Sequence, residues 1–309
     1  MDQITKAFKG LPISESVSNV VQWACYAEAS ARKLGNVHPW KSFDDLRYSH
    51  FLIAADMFKK CIQTQENLPF AERIYQVVDQ IISAIHTNAN LGIILLLSPL
   101  IDAIRCYPGL ELQESVRLVL QKTTVADSCL VFQAIQKANP GGLEPIRDQD
   151  IHSEPTLPLR EVMAIAAPWD LIARQYADFF RDIFFFGIPR LMEGLRLYQN
   201  IEAAIMYSQL YWLASYPDSL IARKNGIQLA REIQMIAQEI LDKDWLSTQG
   251  QSLMIELDNR LRDDNHRYNP GTIADLITAT LFITKWECKI PEGVCFRWDF
   301  LNFLDLPAK

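Results

Sequence analysis

The sequence predicts an all-α protein, and three features carry this prediction. Apolar residues recur at spacings of three and four along most of the chain, which is the period of an amphipathic helix. No segment alternates apolar and polar residues over the length of a strand. Glycine accounts for 12 of the 309 residues, about 4% where roughly 7% is typical, and this deficit disfavours tight hairpins. We therefore expect one domain over residues 1–309, a single compact multi-helix bundle with a buried central helix.

The first four predicted helices differ in how much of their surface is apolar. The first begins near Ser14, and its apolar stripe includes a carboxylate: Val17, Val21, Ala24, Glu28 and Ala31. The second carries its stripe over 48–58, and the third starts with Pro69 in its first turn and extends to Ile85. The fourth, 91–104, is apolar on all faces, which is typical of a helix inside a bundle. This fourth segment is the predicted central helix.

The same periodicity predicts eight further helices, separated by proline and glycine. They lie at about 111–121, 124–138, 157–166, 169–186, 189–215, 218–242, 246–262 and 272–287. The longest irregular stretch, 141–156, is polar, and loops of this length are often functional. The aromatic-rich segment 294–306 covers either the bundle or a partner, and the sequence leaves both options open.

The composition excludes several classes of protein. With 30 basic and 37 acidic residues, a net charge of −7 and a pI near 5.3, the chain is not expected to bind nucleic acid. The longest apolar run, Leu91–Ile101, spans eleven residues, whereas a membrane helix needs about 20. The N-terminal segment lacks the apolar core of a secretory signal, and the six cysteines lack zinc-site spacing. We expect a cytoplasmic protein with reduced core thiols and no membrane contact.

A polar segment, Thr87–Gly92, lies at the start of the predicted central helix. A buried helix N-terminus presents unpaired N–H groups and the positive end of the helix dipole, which suits phosphate oxygens. Asn88, Asn90 and Gly92 are therefore candidate phosphate-binding residues. The alternative is that Asn90 only caps the helix, and these six residues do not decide between the two.

Glu28 lies on the apolar stripe of the first helix. A carboxylate in this position loses its hydration, so it needs a partner, a raised pKa or a bound cation. The following segment, 32–37, supplies basic residues and a chain reversal at Gly35, which makes Lys33 and Asn36 candidates for phosphate binding. The alternative is an ordinary helix C-terminus, with a glycine cap and basic residues favoured by the dipole.

Three other polar positions each have an ordinary structural interpretation. Asp127 lies near the start of a helix, where a first-turn acid is common. Asp170 and Arg174 have the i, i+4 spacing typical of a solvated ion pair. Arg223 and Lys224 are adjacent and face either phosphates or solvent. The sequence leaves these alternatives open.

The segment 269–275, NPGTIAD, has the pattern of a helix start. Thr272 and Asp275 are spaced as a capping box, which leaves Asn269 unexplained. The five histidines show no metal-ligand spacing, and the chain contains no GxSxG, GxxxxGK[ST] or GxGxxG motif. A nucleotide bound by this chain is therefore held by neither a Walker nor a Rossmann loop.

Taken in order, these segments resemble the triphosphoribosyl-dephospho-CoA synthase family, whose members make the prosthetic-group precursor of citrate lyase and malonate decarboxylase. The resemblance runs from Glu28 to about Ile283. EASARKLGNVHP resembles the family's Glu-containing helix followed by a KPGxV turn, TNANLG its N-T-N/H-x-G signature, and NPGTIADL its NPG-x-x-ADL. The stretches ANPGGL, DLIARQY and DSLIARKNG are closer to the archaeal and methylotroph-type branch.

The resemblance implies an ATP-dependent triphosphoribosyl transferase. In this reaction the 2′-hydroxyl of 3′-dephospho-CoA attacks C1′ of the ATP ribose, adenine leaves, and the triphosphate stays on the transferred ribose. The expected small-molecule substrates are ATP and dephospho-CoA or a related acceptor, with Mg²⁺ accompanying ATP.

This chemistry assigns roles to the residues that match the family's motifs. An oxocarbenium-like transition state needs a carboxylate, the hydroxyl needs a base, and a triphosphate needs Mg²⁺, cations and amide donors. We expect Glu28 and Asp127 to bind metal or act in catalysis, with Asp275 as a reserve catalytic acid. The expected nucleotide- and phosphate-binding residues are Lys33, Asn36, Asn88, Asn90, Gly92, Asp170, Arg174, Arg223, Lys224 and Asn269.

Four positions depart from the family pattern. Leu34 replaces the proline of KPG, Arg32 stands where proline is usual, Ala89 replaces a polar residue, and Asp44–Asp45 is a reduced acidic cluster. These departures predict a looser turn and one phosphate ligand fewer. They also motivate a second hypothesis, another nucleotide- or phosphoribosyl-dependent enzyme of one-carbon, pterin-type cofactor metabolism on the same scaffold. A third hypothesis is a catalytically silent helical partner protein.

Overall fold

Fourteen α-helices make up most of the part of the chain that the computed structural model describes, residues 13–142, 149–262 and 267–305. These residues form no strand, only the isolated bridges His38–Lys41 and Asn200–Cys295, which confirms the all-α prediction. The helices are α1 Ile13–Ser30, α2 Tyr48–Thr64, α3 Phe70–Ile85, α4 Leu91–Cys106, α5 Leu112–Gln121, α6 Val125–Ala138, α7 Leu159–Ala166, α8 Leu171–Ala177, α9 Ile188–Tyr198, α10 Ile201–Ser215, α11 Ser219–Asn225, α12 Ile227–Asp242, α13 Thr248–Leu261 and α14 Gly271–Trp286.

The central helix is α4, as the sequence predicts. Every residue from Gly92 to Ile104 is buried, because α4 packs against α1, α3, α5, α8 and α14. Helix α14 is the second organising element, since it also packs against α1, α8, α10 and α11. The buried apolar side chains form one cluster that runs from Val17 to Leu304.

The helix predicted over 169–186 is interrupted. Helix α8 ends at Ala177, and Phe179 and Phe180 adopt left-handed backbone angles, with φ of 54° and 60°. This conformation is costly for residues other than glycine, but it places the Phe180 ring in the core, where it is fully buried. The chain then continues as a π-helical turn, Ile183–Gly187, which leads into α9.

The helices predicted over 189–215 and 218–242 are each divided into two. Gln199 is left-handed with a φ of 49°, and the side chain of Asn200 then accepts a hydrogen bond that starts the next helix. Gly226 separates α11 from α12 with a φ of 88°. Helical periodicity continues through all of these breaks, so a pattern of apolar residues does not locate them.

The N-terminal ends of α11 and α14 are joined by one carboxylate. Oδ1 of Asp218 accepts from the backbone N–H groups of Leu220 at 2.8 Å and Ile221 at 3.0 Å, and its Oδ2 accepts from Ile273 N–H at 2.8 Å. Asp218 therefore satisfies unpaired donors of two helices at once. The starts of α4 and α8 lie beside the start of α14, since the side chains of Ile172 and Asp275 would both contact a Cβ placed on Gly92. Helix α1 also packs against α14.

The prediction that no helix spans a membrane and the prediction of buried, reduced thiols have different outcomes. Among the described residues, no helix has the length and apolarity that a membrane crossing requires. All six cysteines are free, as expected. Only Cys25 and Cys61 are buried, however, and Cys106 and Cys295 are exposed, so the expectation of a set of core thiols is wrong for most of them.

Candidate active site

A cavity of about 1350 Å³ lies where these helix ends meet. It is larger than the roughly 300–1000 Å³ typical of sites for one small molecule, so it has room for two substrates. Of the thirteen predicted site residues, Lys33 and Asp127 do not line it. The eleven that do are Glu28, Asn36, Asn88, Asn90, Gly92, Asp170, Arg174, Arg223, Lys224, Asn269 and Asp275.

Glu28, at the end of α1, has a lysine as its partner. Its Oε1 lies 2.9 Å from Nζ of Lys33, and the two side chains are 5% and 0% exposed. The ammonium also donates to the backbone carbonyls of Glu28 and Ala31. Lys33 therefore does not reach the cavity as a phosphate ligand but holds the Glu28 carboxylate at the cavity wall. A pair this deeply buried is costly to break from either side.

The turn that carries Lys33 and Asn36 is fixed by a side chain from α10. Gln209 accepts from Leu34 N–H at 2.8 Å and donates to the Leu34 carbonyl at 3.0 Å. A proline at position 34 has no N–H and could not complete this pair. Gln209 thus supplies a restraint on this turn that the sequence did not predict, whereas the expected loosening by Leu34 stays a prediction.

Gly35 and the α13 residue Asp258 hold the same turn from the other side. Gly35 has a φ of 71°, and a Cβ on it would lie 2.6 Å from Cβ of Leu261. Its N–H donates to Oδ1 of Asp258 at 2.8 Å, and Oδ2 of Asp258 accepts from Lys41 at the same distance. Arg262 donates to both oxygens of Asp258. This support could not be predicted from the sequence, because Asp258 lies 223 residues from Gly35.

Two of the predicted amides contact each other across the motifs. Nδ2 of Asn36 donates to Oδ1 of Asn269, and Gln209 donates to Oδ1 of Asn36 at 3.1 Å. This link explains Asn269, which the capping-box interpretation leaves without a role. It joins the turn after α1 to the start of α14, so that both approach the cavity together.

Asn90 precedes α4 in a left-handed conformation, with a φ of 66°, and its side chain makes no capping hydrogen bond. Nδ2 lies 3.4 Å from the carbonyl of Phe51, and Oδ1 is buried without a partner. An unpaired buried acceptor beside a cavity costs free energy until a donor reaches it. The capping alternative for Asn90 is therefore wrong, and its free oxygen is available to a ligand.

Asp275, the fifth residue of α14, lies directly over the start of α4. A Cβ on Gly92 would overlap Oδ2 of Asp275, so glycine at 92 permits this contact. Burial raises the pKa of Asp275 well above the usual aspartate range, and the charges of Glu28, Asp218 and Asp170 raise it further. The site thus holds a carboxyl group that resists ionisation in the absence of ligand.

The predicted capping box at the start of α14 does not form. The N-cap position is Pro270, and no side chain caps the helix there. Thr272 instead accepts a hydrogen bond from Leu220 N–H at 3.1 Å, and Asp218 supplies the cap from a distance. Burial raises the pKa of Asp218 to about 6, although its hydrogen bonds from Ile273 and neighbouring N–H groups oppose the shift. Asp218 is a second residue whose role could not be predicted from the sequence.

Arg223 and Lys224 form a cationic wall of the cavity. Arg223 contacts Oδ2 of Asp170 at 3.3 Å and the carbonyl of Gly141 at 3.1 Å. Burial and the adjacent guanidinium of Arg223 lower the pKa of Lys224. A Cβ on Gly141 would lie 3.0 Å from Cε of Lys224, so the loop passes close over both cations. Their position at the cavity favours the phosphate-binding interpretation over the solvent-facing one.

The predicted ion pair between Asp170 and Arg174 does not form. Oδ1 of Asp170 caps α8 by accepting from Ile172 and Ala173 N–H, both at 2.9 Å. Arg174 instead pairs with Asp182, with NH2 2.6 Å from Oδ2. Both residues line the cavity, but as parts of two different pairs.

Asp127 lies outside the cavity, in the capping box of α6. Its Oδ2 accepts from Thr124 N–H at 2.7 Å and from the Thr124 hydroxyl at 2.8 Å. The ordinary interpretation of this residue is therefore the correct one, and a metal site shared by Glu28 and Asp127 is not formed. Within the described residues, no group of three or more His, Cys, Asp or Glu side chains is arranged to hold a metal ion.

The fold and the cavity define a helical enzyme that can offer carboxylates, a helix N-terminus and cations to a phosphorylated substrate. Residues 14–292 match the family ATP:dephospho-CoA triphosphoribosyl transferase, and the chain belongs to this family. No curated protein matches the chain. A crystal structure from Archaeoglobus fulgidus, provisionally described as a triphosphoribosyl-dephospho-CoA synthase, superposes with a TM-score of 0.58 at 24% identity. The match covers 77% of this chain and 98% of that one, and it shows a shared fold.

The family match decides between the three hypotheses. It confirms the resemblance, the transferase class and triphosphoribosyl transfer from ATP as the activity. The pterin-type enzyme and the silent partner protein gain no support.

Proposed function

We propose that the cavity binds ATP and dephospho-CoA together and joins them at the anomeric carbon. The observation that carries this proposal is the placement of several carboxyl groups, including the buried Glu28, a free amide oxygen and two cations in one cavity. The C1′–N9 bond of ATP breaks with its electron pair on adenine, and a bond forms between C1′ and the 2′-oxygen of the acceptor. The proton lost by the acceptor hydroxyl balances the one that adenine gains.

In this proposal Asp275 acts in proton transfer, and Glu28 stabilises the transition state electrostatically. The pKa of Asp275 is raised in the free protein, and the Mg²⁺ that accompanies ATP would favour its ionised form, which then takes the proton of the 2′-hydroxyl. Glu28, fixed by Lys33, presents a negative charge to the oxocarbenium-like carbon. Asp275 thus replaces Asp127 as the second catalytic carboxyl group, because Asp127 lies outside the cavity.

The remaining polar groups serve the donor nucleotide. Arg223 and Lys224 pair with the triphosphate, and the start of α4 at Asn88–Gly92 adds the positive end of its dipole. Asn90 has an acceptor free rather than a donor, so it receives a hydrogen bond from a ribose hydroxyl or the adenine amino group. Ala89 is buried and is not one of the residues that line the cavity.

Mg²⁺ enters this proposal as part of the substrate complex. It prefers oxygen ligands and takes most of them from phosphates and water, with one or two carboxylates from the protein. Among the carboxyl groups that line the cavity, Glu28 and Asp275 are our candidates for this role, whereas Asp170 caps α8 and pairs with Arg223. Mg²⁺ supplies charge neutralisation of the triphosphate. A cytoplasmic location, supported by the free thiols, belongs to the same proposal.

Charge reversal on the cationic wall tests the donor site. We expect Lys224→Glu to weaken binding of Mg-ATP by at least tenfold, because the triphosphate would meet a negative charge in a half-buried position. Thermal unfolding of the full chain with and without Mg-ATP measures the binding, and release of free adenine on addition of dephospho-CoA measures turnover.

Lys243→Glu is the matched control, since it makes the same change at an exposed position outside the cavity. Nucleotide stabilisation that is equal in the two variants would remove Lys224 from the donor site. Wild-type protein that is stabilised by Mg-ATP but releases no adenine with dephospho-CoA would contradict the proposed acceptor.

A further inference from the structure

Trp169 stands out among the large side chains at the cavity. Its indole is 56% exposed, and it lines the cavity next to Asp170. The two other highly exposed tryptophans, Trp40 and Trp298, cover each other with ring centroids 5.4 Å apart. Trp169 has no ring or cation partner among the residues that the structure describes. A large aromatic face left open to water inside a ligand cavity is typical of a surface that a ligand covers.

The backbone that carries this indole is held by hydrogen bonds before any ligand arrives. Trp169 N–H donates to the Ala166 carbonyl at 3.1 Å, and Asp170 N–H donates to the same oxygen at 2.9 Å. Pro168 precedes Trp169, and α8 begins two residues after it, anchored by Leu171 N–H to Oγ of Ser219 at 2.8 Å. The short connection between α7 and α8 therefore presents the ring from a rigid support, which lowers the entropy that binding would cost.

The geometry of the proposed reaction indicates which of the two substrate bases contacts this indole. In a single displacement the leaving nitrogen and the attacking oxygen lie on opposite faces of C1′. Glu28 is 4% exposed and Asp275 is partly buried, whereas Trp169 is largely exposed, so we place the donor's anomeric carbon and its adenine at the inner end of the cavity. The acceptor then approaches from the open side, where Trp169 is exposed.

We infer that Trp169 is the stacking platform for the purine base of the acceptor nucleotide. This inference rests on the proposed function, and it adds a specificity-determining residue for the acceptor. Base–aromatic stacking depends on the π-face and not on hydrogen bonds, so it selects a nucleoside-containing acceptor over a bare pantetheine phosphate. The donor base is not held by this residue.

Steady-state kinetics with both substrates test the inference. Trp169→Ala should raise KM for dephospho-CoA by about tenfold, the size expected for loss of one stacked base, and leave KM for ATP unchanged. Trp169→Phe keeps an aromatic face and should retain most of the acceptor affinity. Trp40→Phe is the control, because Trp40 is 51% exposed but does not line the cavity.

Tryptophan fluorescence gives a second readout that does not need turnover. AMP, which contains the purine without the pantetheine arm, should quench the emission of wild type and of Trp40→Phe, and this quenching should be absent in Trp169→Phe. Unchanged acceptor KM in Trp169→Ala, or a raised KM for ATP instead, would overturn the inference while adenine release in wild type still supports the reaction. If wild type releases no adenine, the reaction fails, and quenching by AMP alone decides whether Trp169 stacks on purines.

Discussion

Ionisation of Asp275 is disfavoured in the ligand-free protein, because burial and the charges of three neighbouring carboxyl groups act in the same direction. Arg223 is the nearby group that opposes them. The site therefore stores an electrostatic cost, which the Mg²⁺ that accompanies ATP would reduce. Such a cost is typical of active sites, which give up stability for function.

Replacing this carboxyl group should stabilise the free protein. The folded state keeps a proton on Asp275 to a higher pH than the unfolded state does, so the free energy of unfolding falls as pH rises from the usual aspartate range towards neutrality. A difference of one in pKa corresponds to about 1.4 kcal/mol, or a few degrees in Tm for a chain of this size. Asp275→Asn should therefore have a higher Tm than wild type at pH 7 to 8 and lose adenine release.

Calorimetry without ligand across pH 4 to 8 measures this effect, and the two proteins should converge near pH 4. A lower Tm for Asp275→Asn at pH 8 would show that the ionised carboxylate stabilises the fold, and the account of Asp275 would be wrong.

The buried pair of Glu28 and Lys33 makes the opposite prediction. Glu28→Gln keeps the volume of the side chain but leaves the Lys33 ammonium without its counter-charge, so Tm should fall. Turnover should fall about 100-fold or more, because the charge facing the anomeric carbon is lost. Adenine release and thermal unfolding, measured on the same sample, separate the two effects.

The double variant Glu28→Gln/Lys33→Met is the control for stability, since it also removes the buried ammonium group of Lys33, which has no counter-charge in the single variant. It should recover much of the Tm without recovering turnover. Full turnover in folded Glu28→Gln would refute the catalytic role of Glu28.

Several residue roles could be predicted from sequence because they break a local rule. Glu28 is visible as a carboxylate on an apolar stripe, and Asn90 as an amide at the start of a wholly apolar helix. Asp275 was harder to assign, because Thr272 and Asp275 imitate a capping box. The true cap, Asp218, lies 55 residues before Ile273, a distance over which local patterns carry no information.

At the scale of elements, the turn after α1 depends on close approach to α13. Gly35 needs both a left-handed backbone and the absence of a side chain, since a Cβ there would lie 2.6 Å from Leu261. The turn carries Lys33 and Asn36, so a displacement of its backbone would also displace Lys33 from its ion pair with Glu28. Its position is thus set by packing against distant helices, and not by its own sequence.

Gly35→Ala should lower the free energy of unfolding more than the same substitution at another glycine with a positive φ. Gly293 has a φ of 84° with nothing within 4 Å of its would-be Cβ, so Gly293→Ala should cost only about 1–2 kcal/mol of backbone strain. Gly35→Ala adds overpacking, roughly another 1–3 kcal/mol, and should also lower turnover.

Chemical denaturation of both variants, with adenine release as the second readout, measures this difference. Equal losses of stability would mean that the contact with α13 is not tight, and unchanged turnover in Gly35→Ala would separate the turn from catalysis.

At the scale of the whole molecule, Arg32 ties the C-terminal segment to the active-site turn. It pairs with Glu202 through two contacts of 2.8 Å and with Asp305 at 2.7 Å, and it donates to the Trp298 carbonyl. The residues 298–305 lie beyond the segment 14–292 that matches the family. Within the aromatic-rich segment, Leu301 and Leu304 are buried in the core, so this part of the segment packs on the bundle.

Removing Arg32 should destabilise the whole chain. Arg32→Ala leaves the fully buried Glu202 carboxylate without a counter-charge, and breaking such a pair typically costs about 3–5 kcal/mol. Arg117→Ala, which breaks an exposed pair with Glu114, should behave like wild type. Comparison of the denaturation midpoints tests this, and equal midpoints for the two variants would mean that Arg32 contributes no more than a surface residue.

The all-α fold and its central helix were predictable because helical periodicity and a uniformly apolar segment are local signals. The helix breaks at Phe179 and Gln199 were not predictable from the sequence. Their left-handed backbone conformations depend on burial of the neighbouring Phe180 ring and on the cap of the next helix, which are not local signals. The cavity itself was predictable only as a set of motifs, because the contacts that assemble it, such as Gln209 with Leu34, cross 175 residues.

The most direct test of the central claim follows both ends of ATP in one reaction. ATP labelled separately in the adenine ring and in the γ-phosphate is incubated with the full chain, Mg²⁺ and dephospho-CoA, and the products are separated. Attack at C1′ predicts that the adenine label appears as free adenine and the γ-phosphate label in the dephospho-CoA product, in equal amounts. Release of the γ-phosphate as phosphate, with adenine still attached to its ribose, would contradict transfer at the anomeric carbon.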